Sequence, residues 1–173
     1  MAIIGVAALA AACATEAPEV QVEVDRLDRA AAQGIAAVRR AVKDPSLEFN
    51  ELGVGVETVE LAARGLRSLA DDARIPSAVR VSAMLAEARA YDDLTITFEA
   101  TSQGQHFVED QEVLNQIFAD KALPMRTSAR DAYVRARALA CRTDLAEPAM
   151  MLEILDGISR YVGEDAATGP CAP

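Results

Sequence analysis

The chain has 173 residues, which is enough for one compact domain and too few for two ordinary ones. It contains 36 alanines but only 7 aromatic residues, a composition that favours closely packed helices over β-sandwiches or barrels. Its formal net charge of −10 argues against a general nucleic-acid binder, because binding to a duplex requires a basic surface.

The chain opens with an uncharged run, Ala2 to Ala12, that ends at Cys13. This run is too short to cross a bilayer as a helix, which takes about 20 apolar residues. Its length and its small final side chains are typical of the apolar part of a signal peptide, about 7–15 residues long. The segment Leu9-Ala10-Ala11-Ala12-Cys13 resembles the lipobox of bacterial lipoproteins.

The resemblance implies a signal peptide over residues 1–12, followed by a lipidated Cys13 and an unstructured tether over 13–18. It also implies attachment to a membrane through the lipid. Ala14 stands directly after the cysteine where inner-membrane lipoproteins carry aspartate, which implies the outer membrane of a two-membrane bacterium. The competing interpretation is a cytosolic protein whose alanine-rich first helix is buried in the core.

Beyond the tether, apolar residues recur at alternating steps of four and three, which places one apolar stripe on each helix. The spacing predicts a helix from Pro18 to Lys43, a second helix whose stripe runs from Leu52 to Ala73, and a third whose stripe runs from Val81 to Ser102. The second should be firm only from about Val56, because Gly53 and Gly55 weaken its first turns. The stripe of the first helix consists of Val20, Val24, Leu27, Ala31, Gly34, Val38 and Ala41.

The stretch from Leu94 to Phe98 is ambiguous, because it also alternates apolar and polar residues with the period of a half-buried strand. A single hairpin in a helical chain is only marginally stable in water. We therefore predict that the third helix continues through this stretch and breaks near Gly104.

Three shorter helices are predicted over about 106–120, 127–142 and 146–162, followed by a tail over 163–173 that contains glycine and proline. Residues 19–162 should form one domain, an all-α antiparallel bundle of five to six helices. Because much of each stripe is alanine, the helix axes can approach closely.

The chain has three cysteines, an odd number that requires an explanation in an exported protein. If Cys13 carries lipid, Cys141 and Cys171 remain as a pair. We predict a disulfide between them, which an oxidising compartment permits and the cytosol does not. The alternative is two unrelated thiols, one buried in a helix and one on the tail.

No catalytic, metal or cofactor motif is recognisable in the sequence. His106 is the only histidine, and we interpret it as a residue at a surface or helix start. The carboxylate pairs point about 100° apart on a helix, so none converges on a metal, and we interpret them as solvated faces. These pairs are Asp71-Asp72, Asp92-Asp93 and Glu109-Asp110.

Five arginines and one acid lie between residues 126 and 142, which gives this segment a charge of +4 against −14 for the remainder. Arg126, Arg130 and Arg137 share one flank of the predicted helix. Either they pair with acids of residues 92–120 and hold the fold, or they contact an anionic partner, since guanidinium groups bind carboxylate and phosphate bidentately.

The sequence thus predicts a lipid-anchored envelope protein with a structural or protein-interaction role, with no cofactor, no nucleic acid and a protein partner of unknown identity. A small-molecule or lipid-binding helical module is an alternative, although alanine-rich stripes leave little room for a cavity. A cytosolic helical protein and an enzyme with an unrecognised site are the others.

Overall fold

The structure is a computed structural model that describes residues 5–43, 49–102, 111–162 and 171. Side chains are described from residue 17 onward in these ranges, except at positions 49–50, 102, 111–115, 117 and 162. The described ranges contain five helices and form an all-α bundle, as predicted. The helices are α1 (Gly5–Lys43), α2 (Phe49–Asp71), α3 (Ser77–Ser102), α4 (Gln111–Arg142) and α5 (Pro148–Val162).

Helix α3 occupies the centre of the bundle. It packs against α1, α2 and α4, whereas α5 packs mainly on α4. Helices α3 and α4 are antiparallel: the ring of Phe98 contacts that of Phe118 in a tilted arrangement with centroids 5.4 Å apart, while Glu87 pairs with Arg135 at a position earlier in α3 and later in α4. The stretch from Leu94 to Phe98 is helical, as predicted, and lies within α3.

The predicted stripe of α1 faces the core. Val24, Leu27, Ala31 and Val38 are buried, and Gly34 lies at a close approach to α2. At this crossing, a Cβ built on Gly34 would lie 2.8 Å from the carbonyl oxygen of Gly55. Because both residues are glycines, the backbones of α1 and α2 can come into direct contact at this crossing.

Helix α2 begins at Phe49, so the prediction of a firm start only near Val56 is wrong. Gly55, expected to weaken the first turns, is buried against α1, where a Cβ would lie 2.8 Å from Val38 Cγ2. Packing between the two helices offsets the low helix propensity of this glycine.

Helix α1 extends from Gly5 through Pro18 without interruption. It therefore includes residues 13–18, which the sequence predicted as an unstructured tether, and Pro18 lies inside the helix rather than at its start. The extent of the helix does not test cleavage of the chain before Cys13, which stays a prediction.

The predicted break between residues 120 and 127 is wrong, because α4 runs through Pro124 as a single helix. Proline removes one backbone hydrogen bond from a helix and disfavours its interior. Here Pro124 is exposed, while its neighbours Ala122 and Met125 are buried against the core. Packing along α3 keeps the helix continuous. The predicted start of this region at 106 lies outside the described residues.

A short turn joins α4 to α5. Asp144 has a φ of 56°, in the left-handed region that aspartate tolerates better than most residues. The N–H of Leu145 then donates to the carbonyl of Ala140 at 3.0 Å, which satisfies one of the last carbonyls of α4. The turn reverses the chain and places α5 back along α4.

Candidate functional site

Two buried carboxylates lie on the central helix α3, one on each side of its midpoint. The side chain of Glu87 is fully buried, and that of Asp92 is 8% exposed. A buried carboxylate is stable only when it is paired and hydrogen-bonded. The hydrogen-bond partners of Glu87 and Asp92 therefore indicate whether these carboxylates are available for chemistry or hold the helices together.

Glu87 lies between one arginine from α2 and one from α4. The Nε of Arg67 donates to its Oε1 at 2.7 Å, and Nη2 of Arg135 donates to its Oε2 at 2.5 Å. Arg135 also reaches Asp71 at the end of α2, 3.0 Å away. Burial lowers the pKa of Arg67, but the hydrogen bond and charge of Glu87 outweigh it and raise the pKa above its ordinary value. Glu87 thus joins three helices through charge.

Asp92 lies between α4 and α5. Its carboxylate accepts hydrogen bonds from the guanidinium of Arg160 and the hydroxyl of Tyr161, both on α5. The hydroxyl of Tyr133, on α4, lies 3.4 Å from the same carboxylate. The ring of Tyr133 packs directly on Gly157, where a Cβ would overlap the ring. The glycine therefore allows the tyrosine to reach Asp92.

The two tyrosines around Asp92 remain hydrogen-bond donors. Burial raises the pKa of Tyr133, and the negative charge of Asp92 raises it further. Burial also raises the pKa of Tyr161, together with the hydrogen bond that this hydroxyl donates to Asp92. Both phenols are protonated at neutral pH, so they hold the carboxylate and do not act as bases.

Both buried carboxylates are thus fully engaged by donors from neighbouring helices. A general base needs a lone pair directed at a substrate proton. Glu87 and Asp92 instead direct their oxygens at arginine and tyrosine, and they fasten α2, α4 and α5 to α3. Within the described part of the chain, every buried side-chain nitrogen and oxygen has a hydrogen-bond partner. The arrangement is that of a structural centre.

The predicted solvated faces need one correction. Asp92 is buried, whereas its neighbour Asp93 is half-exposed and pairs with Arg39 of α1 at 3.1 Å. A helix turns about 100° per residue, so adjacent acids reach different surroundings when other helices surround the backbone.

The first predicted carboxylate pair lies at the turn between α2 and α3. The Asp72 carboxylate accepts from the side chain and the backbone N–H of Arg74, and these hydrogen bonds lower its pKa to about 2. Its neighbour Asp71 is exposed and pairs with Arg135. The pair Glu109-Asp110 and His106 lie outside the described residues.

The three arginines predicted as a possible anionic-partner surface have separate surroundings. Arg126 lies 3.4 Å from Glu99 and 5.8 Å from the centre of the Tyr161 ring, whereas Arg130 pairs with Asp131 on its own helix at 2.8 Å. Arg137 is partly buried. Arg126 thus pairs with an acid of residues 92–120, whereas Arg130 pairs within α4, so the choice between the two interpretations stays a prediction.

Sequence reasoning missed Glu87 and Arg135 as the central pair. A signal was present: Glu87 directly follows the apolar run from Ala83 to Ala86 and is the single acid between residues 83 and 90. A helix that is apolar on all sides is buried, and any charge on it must be paired. The sequence prediction assigned one inward face to each helix, so it did not indicate that Glu87 is buried.

The Sγ atoms of Cys141 and Cys171 lie 2.11 Å apart, at disulfide bonding distance. Their Cα atoms are 5.6 Å apart, within the usual range for a disulfide. Cys141 is partly buried at the end of α4, and Cys171 is exposed. The side chain of Cys13 lies outside the described set.

We expect thiol labelling of the denatured, unreduced protein, purified from the cell envelope, to leave Cys141 and Cys171 unmodified. Both should react after reduction. Reduction should also lower the melting temperature by roughly 6–16 °C, because a loop of 30 residues returns about 3–4 kcal/mol of chain entropy to the unfolded state. Two reactive thiols in the exported protein would contradict the pairing.

Among the described residues, no three histidine, cysteine, aspartate or glutamate side chains lie together in a way that could hold a metal ion. In the same ranges, no helix combines the length and the apolar character needed to cross a membrane.

No protein-family model, curated protein sequence or solved structure matches this chain.

Proposed function

We propose that the protein is a lipid-anchored component of a bacterial cell envelope, with a structural or protein-interaction role. The observation that carries this proposal is the position of Cys141 and Cys171, whose sulfur atoms lie at bonding distance. Disulfides persist in oxidising compartments such as the periplasm and are rare in the cytosol. The cysteine pair therefore supports export.

A second, independent support comes from the N-terminal sequence. The apolar run that ends in Leu9-Ala10-Ala11-Ala12-Cys13 resembles a lipobox, and lipidation of Cys13 also explains the odd number of cysteines. The same resemblance, with Ala14 after the cysteine, favours the outer membrane over the inner one.

The interior of the bundle supports a structural or interaction role. Its buried carboxylates are engaged by arginine and tyrosine side chains, and the backbones of Gly34 and Gly55 meet directly. The buried ion pairs and the close approach of the backbones hold the helices in fixed positions. The bundle therefore presents a fixed surface. Such a framework suits a scaffold or an accessory subunit of an envelope assembly.

Lipidation is tested by labelling cells with a clickable fatty acid. We expect label on the wild-type protein and none on Cys13→Ser, because the acyl chains are carried by this cysteine. Cys171→Ser is the matched control: it also removes one thiol, but it should keep the label. Equal label on the wild type and on Cys13→Ser would overturn the anchoring proposal.

The interaction role is tested by a second experiment, which also asks whether the interaction depends on the anchor. Cells that express the chain with a C-terminal affinity tag are treated with a short crosslinker, and the purified complexes are compared between wild type and Cys13→Ser. We expect one discrete crosslinked partner with the wild type and its loss when the anchor is absent. An anchored wild-type protein that crosslinks to nothing would contradict the interaction role.

A further inference from the structure

Helix α5 is fastened to the bundle by a small and well-defined set of contacts. Three apolar side chains, Met151, Ile154 and Ile158, are buried. At its C-terminal end Arg160 and Tyr161 bind Asp92, and nearer its start Glu153 pairs with Arg89 of α3 at 2.6 Å.

The other four helices also contact one another at places that do not involve α5. Helices α3 and α4 are joined through the contact between the rings of Phe98 and Phe118 and through the pair of Glu87 and Arg135. Helix α1 packs on both α2 and α3. Released α5 would have only 15 residues, a length at which an isolated helix is marginal in water. Its helical structure therefore depends on docking against the bundle.

The disulfide encloses the whole of this unit. Cys141 is in the last turn of α4, and Cys171 lies beyond α5, so residues 142–170 form a closed loop when the bond is intact. Closing a loop of 30 residues removes much of the chain entropy that α5 would gain by opening. The bond should suppress the open state by a factor on the order of 10²–10³.

We propose that α5 is a latch under redox control. The intact Cys141–Cys171 bond keeps it docked, and reduction lets it open as a unit while α1 to α4 remain folded. A dithiol supplies the electrons: it becomes a disulfide, the Sγ–Sγ bond breaks, and each cysteine gains one electron and one proton. Opening uncovers the buried face of α5 and the ring of Tyr133.

The latch rests on the cysteine pair and not on the lipid anchor. It is tested on the full chain by native-state hydrogen exchange in increasing urea, with and without a dithiol. Amides of α5 are compared with amides of the central helix α3. Cys171→Ser without reductant is the matched variant, since its altered side chain is exposed and leaves the core intact.

We expect α5 to exchange with a smaller urea dependence than α3, because its opening exposes less surface. Reduction should lower the protection of its amides by roughly 10²–10³-fold. In Cys171→Ser, the α5 amides should be protected as weakly as in the reduced wild type, and adding the dithiol should not change their protection. If the amides of α5 and α3 exchanged with the same urea dependence, the proposal that α5 opens as a separate unit would be overturned. Equal α5 protection with and without the bond would overturn the redox control.

Discussion

Glu87→Ala is expected to destabilise the bundle by about 2–4 kcal/mol, which corresponds to a fall in melting temperature of roughly 5–15 °C. The substitution removes a fully buried carboxylate and leaves Arg67 and Arg135 facing each other without their shared anion. The loss should stay below the upper end for buried pairs, because both arginines are partly exposed and can turn toward water.

The matched control is Asp93→Ala, on the same helix. Asp93 also pairs with an arginine of a neighbouring helix, but half of its side chain is exposed. Pairs of this kind contribute up to about 1 kcal/mol. Urea denaturation of the two variants compares them directly. Equal losses would mean that Glu87 does not hold the centre of the bundle.

Gly34→Ala is expected to destabilise the protein by about 1–3 kcal/mol, although alanine is the better helix former. The added Cβ would lie 2.8 Å from the backbone oxygen of Gly55 and 2.8 Å from a methyl group of Val59. A backbone atom cannot move aside as a side chain can, so α1 and α2 must separate.

Gly53→Ala is the control for helix propensity. It lies in α2, and a Cβ at this position would meet nothing within 4 Å. The free energy of unfolding of this variant should rise by up to about 1 kcal/mol, because alanine loses less backbone entropy than glycine when a helix forms. The two variants should therefore shift the melting temperature in opposite directions. A gain from both would show that the helices do not meet closely at Gly34.

The sequence allowed the helices and their inward faces to be predicted where one stripe suffices. On α1, the four-three spacing correctly placed Val24, Leu27, Ala31 and Val38 in the core. The all-α class followed from the same spacing and from the alanine content. Local periodicity determines these features, because an outer helix buries one face only.

The centre of the bundle could not be predicted in the same way. Helix α3 is buried on several sides, so the burial of Glu87 and Asp92 depends on which helices surround it. The partners Arg135 and Arg160 come from 48 and 68 residues away along the chain. Pro124 shows the converse: a local signal against a helix is overridden by packing against α3.

The most direct test of the proposed envelope lipoprotein is the intact mass of the unreduced protein purified from membranes. We expect a chain that begins at Cys13, carries two or three acyl groups, and weighs two hydrogens less than its reduced form. The missing hydrogens report the Cys141–Cys171 bond, and the acyl groups report the anchor. An unmodified chain of 173 residues with three free thiols would contradict both.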